Sequence, residues 1–132
     1  MSSIYTVYQV QGSDPLEEPW DGPRWRAAEE ARIGHFHAAS SPHRPVAAAR
    51  LMYDAASLYL RFRVEDRYVV AKHSQFQDPV WRDSCVEFFV QPRPSGGYFN
   101  FEINCGGAAV PRQHDASASS QTSTQVRPMI PW

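Results

Sequence analysis

The chain has 132 residues, the length of one domain, and its 13 Lys and Arg against 14 Asp and Glu leave a formal net charge of −1. That balance excludes a phosphate-tracking nucleic-acid surface, which needs an excess of Lys and Arg, and it excludes an acidic solvating tail. Eleven Pro and seven Gly beside 7 Phe, 6 Tyr and 4 Trp predict short strands broken by turns, not long helices.

The opening Met1-Ser2-Ser3-Ile4 has no basic n-region and leads into no apolar h-region, so no secretory signal is read. The expectation is a cytoplasmic protein, or an extracytoplasmic one if a leader has been removed. Nowhere does an apolar run approach the roughly 18 residues of a membrane helix. Residues 4–10 favour a strand through Tyr5, Val7 and Tyr8, and Gly12-Ser13-Asp14-Pro15 stops it. Residues 14–25 hold three prolines with Trp20 and Trp25 and read as a packed loop. A short helix or loop is expected near residues 25–33, where Ala27, Ala28, Glu29, Glu30 and Ala31 favour a helix. Residues 48–53 form a strand candidate and residues 54–57 a turn. Then Leu58, Leu60, Phe62 and Val64 alternate with Tyr59, Arg61, Arg63 and Glu65, which predicts a half-buried strand and completes a hairpin.

A second hairpin is predicted from residues 85–91 and 98–104 around the six-residue loop 92–97. Closing Gln91 against Tyr98 sets Phe88 opposite Phe101, Val90 opposite Phe99 and Val86 opposite Ile103, apolar against apolar. The other face then carries Cys85, Glu87, Phe89 and Gln91 on one strand and Tyr98, Asn100, Glu102 and Asn104 on its neighbour. Glu87 lies opposite Glu102, and two like charges so placed need compensation. An arginine from a neighbouring strand (Arg61 or Arg63), a cation, a shared proton or a polyhydroxylated ligand would each serve. Carboxylates and carboxamides beside aromatics suit sugar hydroxyls; they equally suit an ordinary solvated face laced with Glu–Arg pairs. Just upstream, Trp81 sits in a polar turn, either as a stacking platform or folded over a sheet edge. Trp20 and Trp25 read as core or loop anchors. From Ala108 the alternation dissolves, and the Ala/Ser/Thr/Gln-rich residues 114–125 read as flexible.

Residues 81–90, Trp-Arg-Asp-Ser-Cys-Val-Glu-Phe-Phe-Val, resemble the W-x-D-S-x-V-E stretch of family 9 carbohydrate-binding modules, within the wider DOMON-like group of β-sandwiches. Trp20-Asp21-Gly22 with Trp25, Ala28 and Phe36 resembles that family's opening segment. Residues 58–66 resemble its L-Y…V-x-D strand, and residues 97–104 the strand that follows. The resemblance covers about residues 18–106, after which the chain reads as truncated or diverged. It implies an all-β antiparallel β-sandwich, complete or cut short, over residues 1–110, with residues 111–132 as a flexible or irregular tail. A sandwich cut short would leave an open sheet edge through which copies could associate.

The resemblance also implies a non-catalytic domain that binds a mono- or oligosaccharide. Trp81 would stack on the sugar, and Glu87, Asn100, Glu102, Arg61 and Arg63 would satisfy its hydroxyls. It permits calcium at Asp66, Asp78 or Asp83, which suit a hard cation without forming a ligand loop. Some DOMON relatives hold haem, for which Met52, Lys72 and His73 are the candidates here. The other alternative is a structural or oligomerisation module with no sugar ligand. Nucleic acid and membrane partners are not expected, and neither is an enzyme: no nucleophile elbow, P-loop or dinucleotide motif occurs. His35, His37 and His43 lack the Cys or Glu partners of a metal site. Cys85 and Cys105 are too few for a disulfide framework and read as reduced residues.

Overall fold

The period-two run at residues 58–65 becomes the spine of one of two sheets in the computed structural model, which describes residues 4–114 and 125–128. The strands in chain order are β1 (Tyr8–Gln9), β2 (Ala31–Ile33), β3 (Val46–Tyr53), β4 (Ser57–Glu65), β5 (Cys85–Val90), β6 (Tyr98–Asn104), β7 (Ala109–His114) and β8 (Gln125–Pro128). The chain divides after Arg67 into two compact units, and β8 belongs to the first. Among the described residues, no helix is long and apolar enough to cross a membrane.

In the first unit β3 and β4 form the expected antiparallel hairpin, from Val46 opposite Glu65 to Tyr53 opposite Leu58. Asp54 closes its turn: Oδ1 accepts the backbone N–H of Ala56 and of Ser57 at 2.8 Å each, and Oδ2 accepts the Tyr59 hydroxyl at 2.6 Å. β1 lies parallel to β3, β2 antiparallel to it, and β8 parallel to β4. Of residues 4–10, only Tyr8–Gln9 enters the sheet.

Two expectations are corrected in this unit. The helix is shorter and earlier than residues 25–33: α1 spans Pro23–Ala27. Pro23 sets the helical φ in the first turn, where its missing N–H leaves nothing unsatisfied. By Ala28 the backbone is extended, and residues 31–33 pair with β3, which satisfies groups that one or two isolated helical turns would leave frayed.

The second correction concerns β4, which is covered on both faces: Tyr59, Leu60, Arg61 and Phe62 are buried in succession. The Trp-containing segment before β2 supplies the cover. Trp25 is fully buried with Leu16, Ala28, Met52 and Tyr59, and its Nε1 donates to the Pro15 carbonyl at 2.7 Å. Arg61, 1% exposed, lies with its guanidinium 4.9 Å from the Trp25 ring centre. It donates to the carbonyl of Leu16 at 2.7 Å and to that of Glu18. A buried cation is tolerable only when so bonded, which makes Arg61 an internal brace and not a sugar contact. Arg63, further along β4, is exposed and pairs with Glu65 at 2.9 Å.

The second unit is the antiparallel sheet β5-β6-β7. Its hairpin register is the expected one: Phe88 opposite Phe101, Val90 opposite Phe99, Val86 opposite Ile103. Rings line the apolar face, with Phe101 stacked 6.4 Å from both Phe88 and Phe99. Order does not end near residue 110, because β7 pairs with β6 through His114 and so satisfies its backbone groups. The turn between them uses a left-handed Gly107 at φ 86°. Within the Ser/Thr-rich stretch expected to be flexible, residues 115–124 lie outside the described residues.

Replacing Arg61 by Ala removes the donors to two covered carbonyls and is expected to lower the unfolding free energy by about 2–4 kcal/mol. Arg63→Ala should change it by no more than about 0.5 kcal/mol. Denaturant unfolding of the two variants checks this, and equal effects would show that Arg61 is not a brace.

Candidate functional site

Residues paired across an antiparallel sheet share a face. Phe89, Asn100 and Arg112 therefore form one row on β5, β6 and β7, and Glu87, Glu102 and Val110 the next. The face is polar at its centre yet closed to water: Asn100 is 4% and Glu102 8% exposed, while Glu87 on the outer strand is open. Asn100 Nδ2 donates to Glu102 Oε1 at 3.1 Å. Arg112 Nε lies 3.7 Å from Glu102 Oε2, an ionic contact too long for a hydrogen bond. Asn100 Oδ1, Glu102 Oε2 and Arg112 Nε are consequently buried with no hydrogen-bond partner. Each such group ordinarily costs about 1–3 kcal/mol and calls for an explanation.

Trp81 stands beside them on a 3-10 turn, Val80–Arg82, seated by Val80, which is buried with Ala108 and Val110. The Arg112 guanidinium lies 4.4 Å from the Trp81 ring centre, and the indole stays 45% exposed. A cation over the ring fixes its plane and leaves part of the indole open to solvent. At the other end of the face, exposed Phe89 and Tyr98 form a tilted pair with ring centres 5.9 Å apart.

Burial and the facing charge of Glu102 raise the pKa of Glu87, and Arg112 partly offsets them. Burial, with the nearby Glu87, Glu102 and Asp83, pushes the Cys85 thiol up to about 11, so it is protonated and unreactive at neutral pH. Cys85 and Cys105 are both free thiols, as expected.

A second polar cluster frames the site. Asp83 Oδ2 accepts from the backbone N–H of Lys72 at 3.0 Å, that of His73 at 2.9 Å and Asn104 Nδ2 at 2.9 Å, and lies 3.2 Å from His73 Nδ1. Asn104 Nδ2 also donates to the His73 carbonyl at 2.6 Å, and its Oδ1 accepts the N–H of Gly106 at 3.1 Å and Ala108 at 2.9 Å. Burial alone would raise the Asp83 pKa; the hydrogen bonds outweigh it and hold the carboxyl at about 2.

Of the residues singled out in the sequence, Trp81, Glu87, Asn100 and Glu102 come together in the second unit, whereas Arg61 and Arg63 belong to the first. Asp66 faces His43 at 2.9 Å, Asp78 Oδ2 accepts the N–H of Gln75 at 3.0 Å, and Asp83 anchors the segment at Lys72 and His73. Among the described residues, no group of three or more His, Cys, Asp or Glu could hold a metal ion. Met52, weighed as a haem ligand, packs in the core of the first unit. Arg112 was missed. Its signal was the alternation of Ala108, Val110 and Arg112, masked by Pro111 and the polar stretch that follows.

A strand-built chain with this polar face and indole belongs to carbohydrate-binding family 9, whose model matches residues 25–129 and so runs well past residue 106. The chain is similar to a crystallised protein of Bacteroides uniformis assigned as carbohydrate-binding, with 24% identity and a TM-score of 0.70. The likeness covers 92% of this chain and 56% of that one, so this chain spans little more than half of that protein. At that identity it shows the fold, an all-β sandwich as expected from the sequence. No curated protein matches the chain.

Because the folded Asp83 carboxyl titrates below its ordinary value near 4, its stabilisation is full above about pH 4 and is lost as pH falls toward 2. Asp83→Asn should therefore melt at a lower temperature than the wild type at neutral pH, with the gap closing between about pH 4 and pH 2. A gap that stays constant over that range in thermal unfolding contradicts the anchor.

Proposed function

We propose that this protein binds a saccharide on the polar face of β5-β6-β7, with Trp81 as the stacking platform, and that it acts without catalysis. The observation that carries this reading is the half-exposed Trp81 indole, held by Arg112, beside the open Glu87 carboxylate on one sheet face. A sugar hydroxyl both donates and accepts, so neighbouring hydroxyls of one ring can serve the Glu87 carboxylate and the part-exposed Arg112 side chain together. The apolar C–H face of the ring suits the open part of Trp81. Glu87, open at the outer strand, accepts from a further hydroxyl. Family membership supports a carbohydrate as the ligand class.

Binding draws on preorganisation. Asn100 and Glu102 are buried beneath the face and fix Arg112 there before a ligand arrives, so little of the site has to be ordered on binding. Arg112 holds the indole in plane, which limits the ordering entropy lost on stacking. Glu87 and Glu102 resemble an acid–base pair only in type. They stand directly opposite each other on one sheet face, and Glu87 is open to solvent, not enclosed in a water-excluding pocket.

Calorimetric titration with glucose, cellobiose and xylobiose is expected to give saturable binding to at least one of them. Trp81→Ala should weaken that binding tenfold or more, about 1.4 kcal/mol, with the melting temperature little changed. Binding that survives both Trp81→Ala and Asn100→Ala at full strength would place the sugar elsewhere.

A further inference from the structure

We infer that the site favours a cationic amino sugar over its neutral counterpart and rejects a uronic acid. This rests on the saccharide-binding reading above and narrows its ligand class.

The charges on the face do not cancel. Glu87 and Glu102 oppose each other across β5 and β6, and Arg112 is their cation. Arg112 is committed to Glu102 and to the Trp81 ring, and Glu102, on the middle strand, is the carboxylate it neutralises. Glu87 faces solvent on the outer strand and forms no ion pair with a described residue. The face thus carries one negative charge in excess, and that charge is open to a ligand.

Beneath the open Glu87 carboxylate the sheet holds two unpartnered buried acceptors, Asn100 Oδ1 and Glu102 Oε2, and one unpartnered buried donor, Arg112 Nε. The rest of the part-exposed Arg112 guanidinium supplies further N–H donors, so the surplus a ligand meets is one of charge. A surface with surplus negative charge is complementary to a group with a positive charge and several donors. The ammonium of a 2-amino-2-deoxy sugar offers three donors on one atom and no acceptor. It would also be drawn to the exposed part of the Trp81 ring, as any cation is to an indole. A uronic acid would instead bring a third carboxylate, with acceptors only, against Glu87 and Asn100. Between two neutral sugars this charge term vanishes.

The test compares four β-1,4-linked dimers by calorimetry at about pH 6 and low salt: cellobiose, the glucosamine dimer, its N-acetylated form, and a glucuronic-acid-containing dimer. The glucosamine dimer should bind about tenfold more tightly than cellobiose and than its own N-acetylated form, and the glucuronyl dimer more weakly than all three. The preference should shrink as salt screens the exposed Glu87. In Glu87→Gln the ratio of glucosamine-dimer to cellobiose affinity should fall to near one, whatever loss the two ligands share. If cellobiose binds and the glucosamine dimer binds no better, the charge preference is wrong and the saccharide surface stands. A preference that persists in Glu87→Gln also overturns the assignment. If no dimer binds, the saccharide surface and the preference fall together.

Discussion

Two carboxylates on adjacent strands of one sheet face repel each other, and a single guanidinium answers them. Glu87 opposite Glu102 is a pairing that sheets ordinarily avoid. Arg112 makes it tolerable by standing beside the buried member of the pair, where an unneutralised charge would be worst. The same guanidinium lies over Trp81 and so sets the plane of the indole. Neutralisation and positioning are therefore one interaction: moving Arg112 would expose the carboxylates to each other and release the ring. The second unit is arranged around this contact, with Val80 seating the turn under Trp81 and Asp83 with Asn104 fastening the ends of β5 and β6.

The first unit meets the mirror-image problem and buries it. Arg50 lies opposite Arg61 across β3 and β4, a like-charge pair of the other sign. Here the protein itself supplies the partners. Arg50 donates to the Trp20 carbonyl at 3.0 Å and to Glu30 at 3.1 Å, Arg61 donates to Leu16 and Glu18, and each guanidinium lies over an indole, Trp20 or Trp25. The loop that brings these carbonyls also shuts the face from water. In β5-β6-β7, one cation, one half-exposed indole and three unpartnered atoms remain. Arg50 Nε and Arg61 Nε are also buried with no hydrogen-bond partner, so the contrast lies in exposure: the indoles over Arg50 and Arg61 are buried, whereas Trp81 and Glu87 stay open, and that is the basis for reading the second as a binding face.

The hairpin of β5 and β6 was legible because two independent constraints agree. The six-residue loop fixes which residues can meet, and the apolar alternation of Val86, Phe88 and Val90 against Ile103, Phe101 and Phe99 fixes which face they take. That carried Glu87, Asn100 and Glu102 onto one face from sequence alone. Alternation says nothing about what covers a face, which is why β4 read as half-buried and Arg61 as accessible. The covering segment is held by a fully buried Trp25 and by carbonyl bonds, neither of which has a periodic signature. Arg112 escaped for a related reason. The demand for a cation was visible in the opposed glutamates, but its source lay on a strand whose alternation is short and interrupted by Pro111.

Burial of unfinished hydrogen-bonding groups moves an energetic burden from binding to folding. When an exposed carboxylate binds a hydroxyl, water must first leave it, and much of the new bond only replaces the old one. Asn100 and Glu102 have already left water, and the sheet and the Asp83–Asn104 anchor hold them there at a standing cost in stability. That cost is carried by the fold whether or not the face is occupied. Replacing Asn100 and Glu102 together by apolar residues that pack without strain would remove both partners of their hydrogen bond and relieve the fold, whereas the same change at Asn104, whose amide makes bonds in four directions, would only weaken the frame.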